Sequence, residues 1–180
     1  MNGRLKLVAA TAVVAGVAAA GTAAIAGGGN DIREQLTGYQ EDPQAISTTG
    51  KGTFQARVDE RRQEISYRLR YADLEGGVQQ AHIHFGGRAQ SGGISAFLCS
   101  NLGNGPAGTQ ACPSAPATVT GTIRPVDVIG PTAGGISPGE FDELVAAIRA
   151  GVTYANVHTS LFPGGEIRAQ LDRKQGHDRR

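Results

Sequence analysis

The chain has 180 residues, of which 39% are apolar, 18% charged and 5% aromatic, with 27 glycines and no tryptophan. This suffices for one domain with a real core and is too little for two large ones. A net charge of +1 with no basic block in the body excludes a dedicated nucleic-acid binder, and glycines without a period of three exclude collagen.

Residues 1–26 read as a secretory signal. Arg4 and Lys6 form a basic start, residues 7–20 an uncharged run of mostly Ala, Val and Leu, and Ala24-Ile25-Ala26 a small-residue cleavage site before Gly27. A spanning helix wants about 20 strongly apolar residues, and this run is shorter and mostly alanine. No cysteine stands at the cleavage point to carry a lipid. Without Arg4 and Lys6 the mature chain has 15 Lys and Arg against 16 acids, a charge of −1, and no second apolar span. The expectation is a soluble, secreted or extracytoplasmic protein, with no membrane span after cleavage near Ala26. Residues 27–35 read as a flexible leader.

The folded part is expected over residues 36–171. Residues 53–58 alternate polar and apolar, the pattern of a half-buried strand. After a polar turn, Ile65, Tyr67, Leu69 and Tyr71 share one face and Ser66, Arg68 and Arg70 the other, so the two runs predict a hairpin. Further strands are predicted at 78–85, 94–98 and 117–123. Cys99 and Cys112, the only cysteines, flank a Gly/Pro/Asn-rich stretch, and in an exported chain a disulfide between them is the natural inference.

One helix is predicted. Ser137, Pro138 and Glu140 fit a capping box, and Phe141, Leu144, Val145 and Ile148 form an apolar stripe ended by Gly151. Strands follow at 152–159 and 166–171, joined by a predicted type II turn at Pro163-Gly164. Residues 172–180 read as a polar tail. Seven or eight short strands and one helix, without β–α alternation, predict an all-β antiparallel sandwich or barrel with one inserted amphipathic helix.

Three of the four histidines fall in strands. Period two places His82 and His84 opposite Ala81, Ile83 and Phe85, places Asn156 and His158 opposite Ala155 and Val157, and places Glu166, Arg168 and Gln170 opposite Ile167 and Ala169. His82, His84, Asn156, His158, Glu166 and Arg168 therefore form a candidate polar binding cluster. A His-x-His strand with a third histidine also suits copper or zinc, with His82, His84 and His158 as ligands. The other account is a hydrogen-bonded cluster that fixes strand register without metal. Spacing does not say whether these faces meet. A Gly-x-Ser-x-Gly elbow is absent, the Gly86–Gly93 region opens no helix, and no paired carboxylates stand out, so no catalytic residue is assigned.

The stretches Leu36-Thr37-Gly38-Tyr39-Gln40-Glu41-Asp42-Pro43, Ala81-His82-Ile83-His84, Tyr154-Ala155-Asn156-Val157-His158-Thr159 and Phe162-Pro163-Gly164-Gly165-Glu166-Ile167-Arg168 resemble the CHRD (chordin) domain family. That family occurs in animal chordin and in many exported microbial proteins, and this chain resembles a microbial single-domain member. The resemblance implies an all-β extracellular module without agreed catalytic residues. The Cys99–Cys112 loop is an addition to the shortest family pattern. The His-Ile-His and later Val-His also look like the copper ligands of copper/zinc superoxide dismutases. That comparison implies His82, His84 and His158 as ligands on a dismutase-like sandwich, but the fourth copper histidine and the zinc set are missing. The leading expectation is a secreted, non-enzymatic module for an extracellular or cell-surface partner. The alternative is a copper- or zinc-binding protein with redox potential.

Overall fold

The computed structural model describes residues 30–171, so the expected signal and polar tail lie outside the described residues. Eight strands form one antiparallel sheet: β1 (Asp31–Thr37), β2 (Lys51–Asp59), β3 (Glu64–Ala72), β4 (Val78–Phe85), β5 (Gly93–Ser100), β6 (Ala117–Ile123), β7 (Thr153–Thr159) and β8 (Ile167–Gln170). Their order is β5-β4-β7-β8-β1-β2-β3-β6. Between β6 and β7 lies the one α-helix among the described residues, α1 (Phe141–Arg149). The sheet curls into a nearly closed barrel, in agreement with the all-β antiparallel expectation.

Alternation drives the closure. In β2 and β3, Phe54, Ala56, Val58, Ile65, Tyr67, Leu69 and Tyr71 are buried, and their polar neighbours Gln55, Arg57, Ser66, Arg68 and Arg70 are exposed. Ala81 and Ile83 of β4, Ala155 and Val157 of β7, and Ile167 and Ala169 of β8 complete the inner lining. One side of each strand is thus removed from water by the others, at roughly 25 cal/mol per Å² of apolar surface. Phe141, Leu144, Val145 and Ile148 bring the apolar stripe of α1 into the same core, and Arg149 ion-pairs with Glu60 in the β2–β3 turn.

Two seams are thin. Strand β1 meets β8 at the pair Thr37–Arg168. The edge strands β5 and β6 are bridged largely by side chains: Tyr67 Oη donates to Leu98 O at 2.9 Å, and Gln110 Nε2 lies 2.9 Å from Tyr67 Oη, 3.1 Å from Leu98 O and 3.0 Å from Thr120 O. Cys99 and Cys112 form the expected disulfide, which ties the Gln110 segment to β5.

Three local expectations are corrected. Residues 31–35, read as leader, belong to β1, an inner strand whose Ile32 and Leu36 are buried. Its weak alternation is interrupted by Glu34, so only neighbours on both sides make it a strand. The Ser137–Glu140 motif is a turn before the helix rather than its first turn. Glu140 N bonds Ser137 O and Glu140 Oε2 accepts from Ser137 N, but Gly139 at φ +88° breaks the helical path, and α1 starts at Phe141. At Pro163-Gly164 the left-handed residue is Gly165, at φ +135°, so the type II turn does not form there.

If Gln110 closes the barrel, Gln110→Ala leaves Leu98 O and Thr120 O without that donor. The expected loss is about 1–3 kcal/mol of unfolding free energy in a urea titration. Cys99→Ser/Cys112→Ser should cost about 3 kcal/mol from loop entropy. A Gln110→Ala protein as stable as the parent would show that the edges are held together by other contacts.

Candidate functional site

The outer face of β4, β7 and β8 departs from simple alternation. Every residue of β7 and β8 is buried, polar ones included. Their inner side chains fill the barrel, and chain segments following β1, β4 and β7 cover their outer side chains. The polar residues singled out by period two therefore lie under a roof.

Antiparallel register brings them together. His82 pairs with Asn156 and Asn156 with Arg168, which makes one row across three strands. His84, Tyr154 and Gln170 make the next row, and His158 lies opposite Gln80. His82, His84 and His158 meet: His82 Nδ1 is 3.2 Å and His84 Nε2 3.4 Å from His158 Nε2, and the candidate ligand nitrogens all lie within 4.8 Å of one another. Two nitrogens bound at 2.0–2.1 Å to one tetrahedral ion stand about 3.3–3.4 Å apart. The two spacings to His158 match that edge length, and the His82–His84 pair lies within 4.8 Å.

Proton positions follow from the partners. A carbonyl only accepts, so His84 Nδ1 donates to Gly92 O at 3.0 Å and His158 Nδ1 donates to Pro163 O at 3.0 Å. Both rings are then Nδ1–H tautomers, and their bare Nε2 lone pairs face each other across 3.4 Å. His82 cannot settle this arrangement alone. If its proton is on Nδ1 it serves one lone pair, and its own Nε2 is buried without a partner. If the proton is on Nε2, three lone pairs converge. A cation at that point satisfies all three, and the outward Nδ1–H bonds of His84 and His158 are the kind of support that fixes metal-ligating imidazoles.

The rings are held firmly. Phe97 meets His82 edge-on at 4.4 Å, and Tyr154 stacks on His84 at 4.8 Å with planes 1° apart. Tyr154 Oη accepts from Gly92 N at 2.9 Å, which steadies the carbonyl that orients His84. A Cβ at position 92 would stand 1.7 Å from Phe85 O, so only glycine can occupy it.

The other members of the expected cluster divide. Asn156 Nδ2 donates to Glu41 Oε2 at 3.3 Å, whereas Asn156 Oδ1 is buried without a partner. Arg168 lies over the Tyr154 ring with its guanidinium carbon 3.5 Å from the centroid, and its Nη2 donates to Gly87 O and Gln170 Oε1. Glu166 stands apart from the histidines in its bonding. Its carboxylate accepts from Thr48 Oγ1, Glu75 N, Gly76 N and Thr159 Oγ1, fastening two loops to the start of β8.

Glu41, Tyr154, Gln170 and Phe97 were not among the candidate site residues. Glu41 and Tyr154 do lie inside the family-like stretches, the one signal that could have found them. Gly165 fixes the Asn156–Glu41 contact, because a Cβ there would come within 2.6 Å of Asn156 Nδ2 and Glu41 Oε2.

Burial shifts the titrations in opposite senses for bases and acids. Burial first, then the charges of the neighbouring histidines, pushes His82 down to about 2. Burial takes His84 down to about 4 and also lowers His158, against the bonds to Gly92 and Pro163. Burial raises Glu41 to about 8, partly offset by its bond from Asn156. The three imidazoles are thus neutral at pH 7.

These shifts make the stability of the metal-free chain depend on pH. Below 6.5 the unfolded chain takes up histidine protons that the folded chain refuses, so stability falls as pH drops. Glu41 acts oppositely: between its ordinary 4.5 and about 8 the folded chain keeps a proton the unfolded chain loses, so that contribution falls as pH rises. From pH 6.5 to 4.5 three histidines oppose one acid, and unfolding free energy should decrease by about 1.4 kcal/mol per pH unit for each net proton. Removing one histidine in His82→Asn should flatten that slope. A flat profile in the parent would contradict neutral buried histidines.

A family model described as CHRD domain matches residues 32–171. Neither the curated proteins nor the solved structures yield a match.

Proposed function

The chain belongs to the CHRD domain family, and on that footing we propose that it is a secreted binding module that holds one copper or zinc ion on His82, His84 and His158. The observation that carries this reading is the pair of Nδ1–H bonds to Gly92 O and Pro163 O, which turns two Nε2 lone pairs toward a common point beside His82. Three neutral nitrogen donors in a buried site suit copper and zinc, whereas calcium and magnesium take oxygen ligands. At such nitrogen sites copper outcompetes zinc when both are offered. When bound, either ion supplies Lewis acidity, and copper adds a one-electron couple. The chain's own residues position the ligands and exclude water.

Export is supported by the basic-apolar-small pattern of residues 1–26 and by the Cys99–Cys112 disulfide, which suits an oxidising compartment. Among the described residues no helix is long and apolar enough to cross a membrane. An extracellular or cell-surface partner would not touch the histidines directly, since His82, His84 and His158 are nearly inaccessible. It would meet the exposed Tyr39, Arg88 and Leu161 around it.

The test is metal content. The full chain, exported through its own signal and carrying no histidine tag, should hold near-stoichiometric copper or zinc by elemental mass spectrometry. His158→Ala and His82→Ala/His84→Ala should abolish uptake while the far-ultraviolet spectrum stays that of a β protein. A parent chain that remains metal-free after incubation with both ions would overturn the reading and return the histidines to a purely structural role.

A further inference from the structure

Beside the histidines lies a cavity of about 250 Å³ whose lining includes Tyr39, Glu41, Arg88, Arg168 and Gln170. Its floor carries an uncompensated charge. Arg168 is 2% exposed, and among the described residues no carboxylate pairs with its guanidinium. Nη2 makes both of its hydrogen bonds, to Gly87 O at 2.9 Å and Gln170 Oε1 at 3.4 Å. No hydrogen bond from Nη1 or Nε to a described residue accompanies these, and neither atom is among those fully buried without a partner. Buried charges are ordinarily paired, because their desolvation is costly, and stacking on Tyr154 recovers only part of that cost.

Glu41, whose Oε2 accepts from Asn156, does not supply the missing charge. Its other oxygen, Oε1, is buried without a partner. Burial holds this carboxyl near 8, so at pH 7 it is mainly a neutral group with a proton to donate. Gln170 has no spare donor, since Nε2 is committed to Gly86 O and Gly151 O. The cavity therefore combines a flat guanidinium edge, an orphaned carboxyl and a second arginine, Arg88, on its rim.

We propose that this cavity binds a small carboxylate, one or both of its oxygens on the free edge of Arg168 and one within reach of Glu41. A planar carboxylate matches the guanidinium fork, and its single charge balances Arg168. The site does not depend on the metal reading, because Arg168 and Glu41 are both outside the histidine set.

The experiment is a titration of the metal-free full chain with acetate at pH 7 and constant ionic strength, following the arginine Nε–H resonances by nitrogen-15 NMR. Chloride and phosphate serve as controls. A free carboxylate and a peptide C-terminus share this chemistry, so triglycine is titrated in parallel, and the tighter of the two identifies the source. Expected are saturable one-site shifts with acetate or triglycine and binding weaker by about tenfold or more in Arg168→Gln.

A second variant serves if Arg168→Gln does not fold. Glu41 is faced by Asn156 and Arg168 from the sheet and Arg88 across the cavity, with Asp42 and Glu166 adding negative charge nearby. Its ionisation above about pH 8 should expel the carboxylate from the parent, while Glu41→Gln should keep binding at that pH. Shifts that fail to saturate, that chloride reproduces, or that survive unchanged in both variants at every pH would overturn the proposal.

Discussion

Two backbone carbonyls, Gly92 O and Pro163 O, govern the chemistry of this molecule. Each accepts the Nδ1 proton of one histidine and so decides where that ring's lone pair points. Because both carbonyls lie in loops that roof the outer face of β4, β7 and β8, the same loops that exclude water also fix the tautomers. Removing the roof would hydrate the imidazoles and erase the shifts, since burial is the largest cause of each.

The rest of the fold can be understood as support for that roof. Glu166 gathers two hydroxyls and two backbone N–H groups from three segments, which places the loop carrying Pro163 at the end of β7. Gly165 lets Glu41 reach Asn156, and Tyr154 braces Gly92 while stacking on His84. At the seam between β5 and β6, Gln110 and Tyr67 join edges that backbone pairing leaves open, so a sheet with two thin seams still encloses one core. The polar cluster is tolerated because most of its atoms have partners. The exceptions, His82 Nε2, Glu41 Oε1 and Asn156 Oδ1, gather around the same site.

Much of this was legible in the sequence, for identifiable reasons. Period two correctly separated His82, His84, Asn156 and His158 from Ile83, Ala155 and Val157, because strand geometry is local. Their meeting was not legible, since it depends on the β4–β7 register that sets His82 opposite Asn156, a long-range pairing with no local signature. The burial of the cluster was equally hidden, because the roof is made of loops without periodicity. Glu41 escaped for that reason, its raised titration being caused first by the desolvation around it. Strand β1 escaped because Asp31, Arg33 and Glu34 mask two buried positions, and the helix start was misplaced by a capping motif that Gly139 diverts into a turn.

The convergence of the lone pairs is read from the tautomeric state of the three rings, by long-range proton–nitrogen correlations of the metal-free chain at pH 7. His84 and His158 should be neutral and protonated on Nδ1, and on adding one equivalent of zinc both Nε2 signals and His82 Nδ1 should shift together. Rings protonated on Nε2, or imidazolium at pH 7, would mean that the lone pairs do not converge, and the metal reading would fall with them.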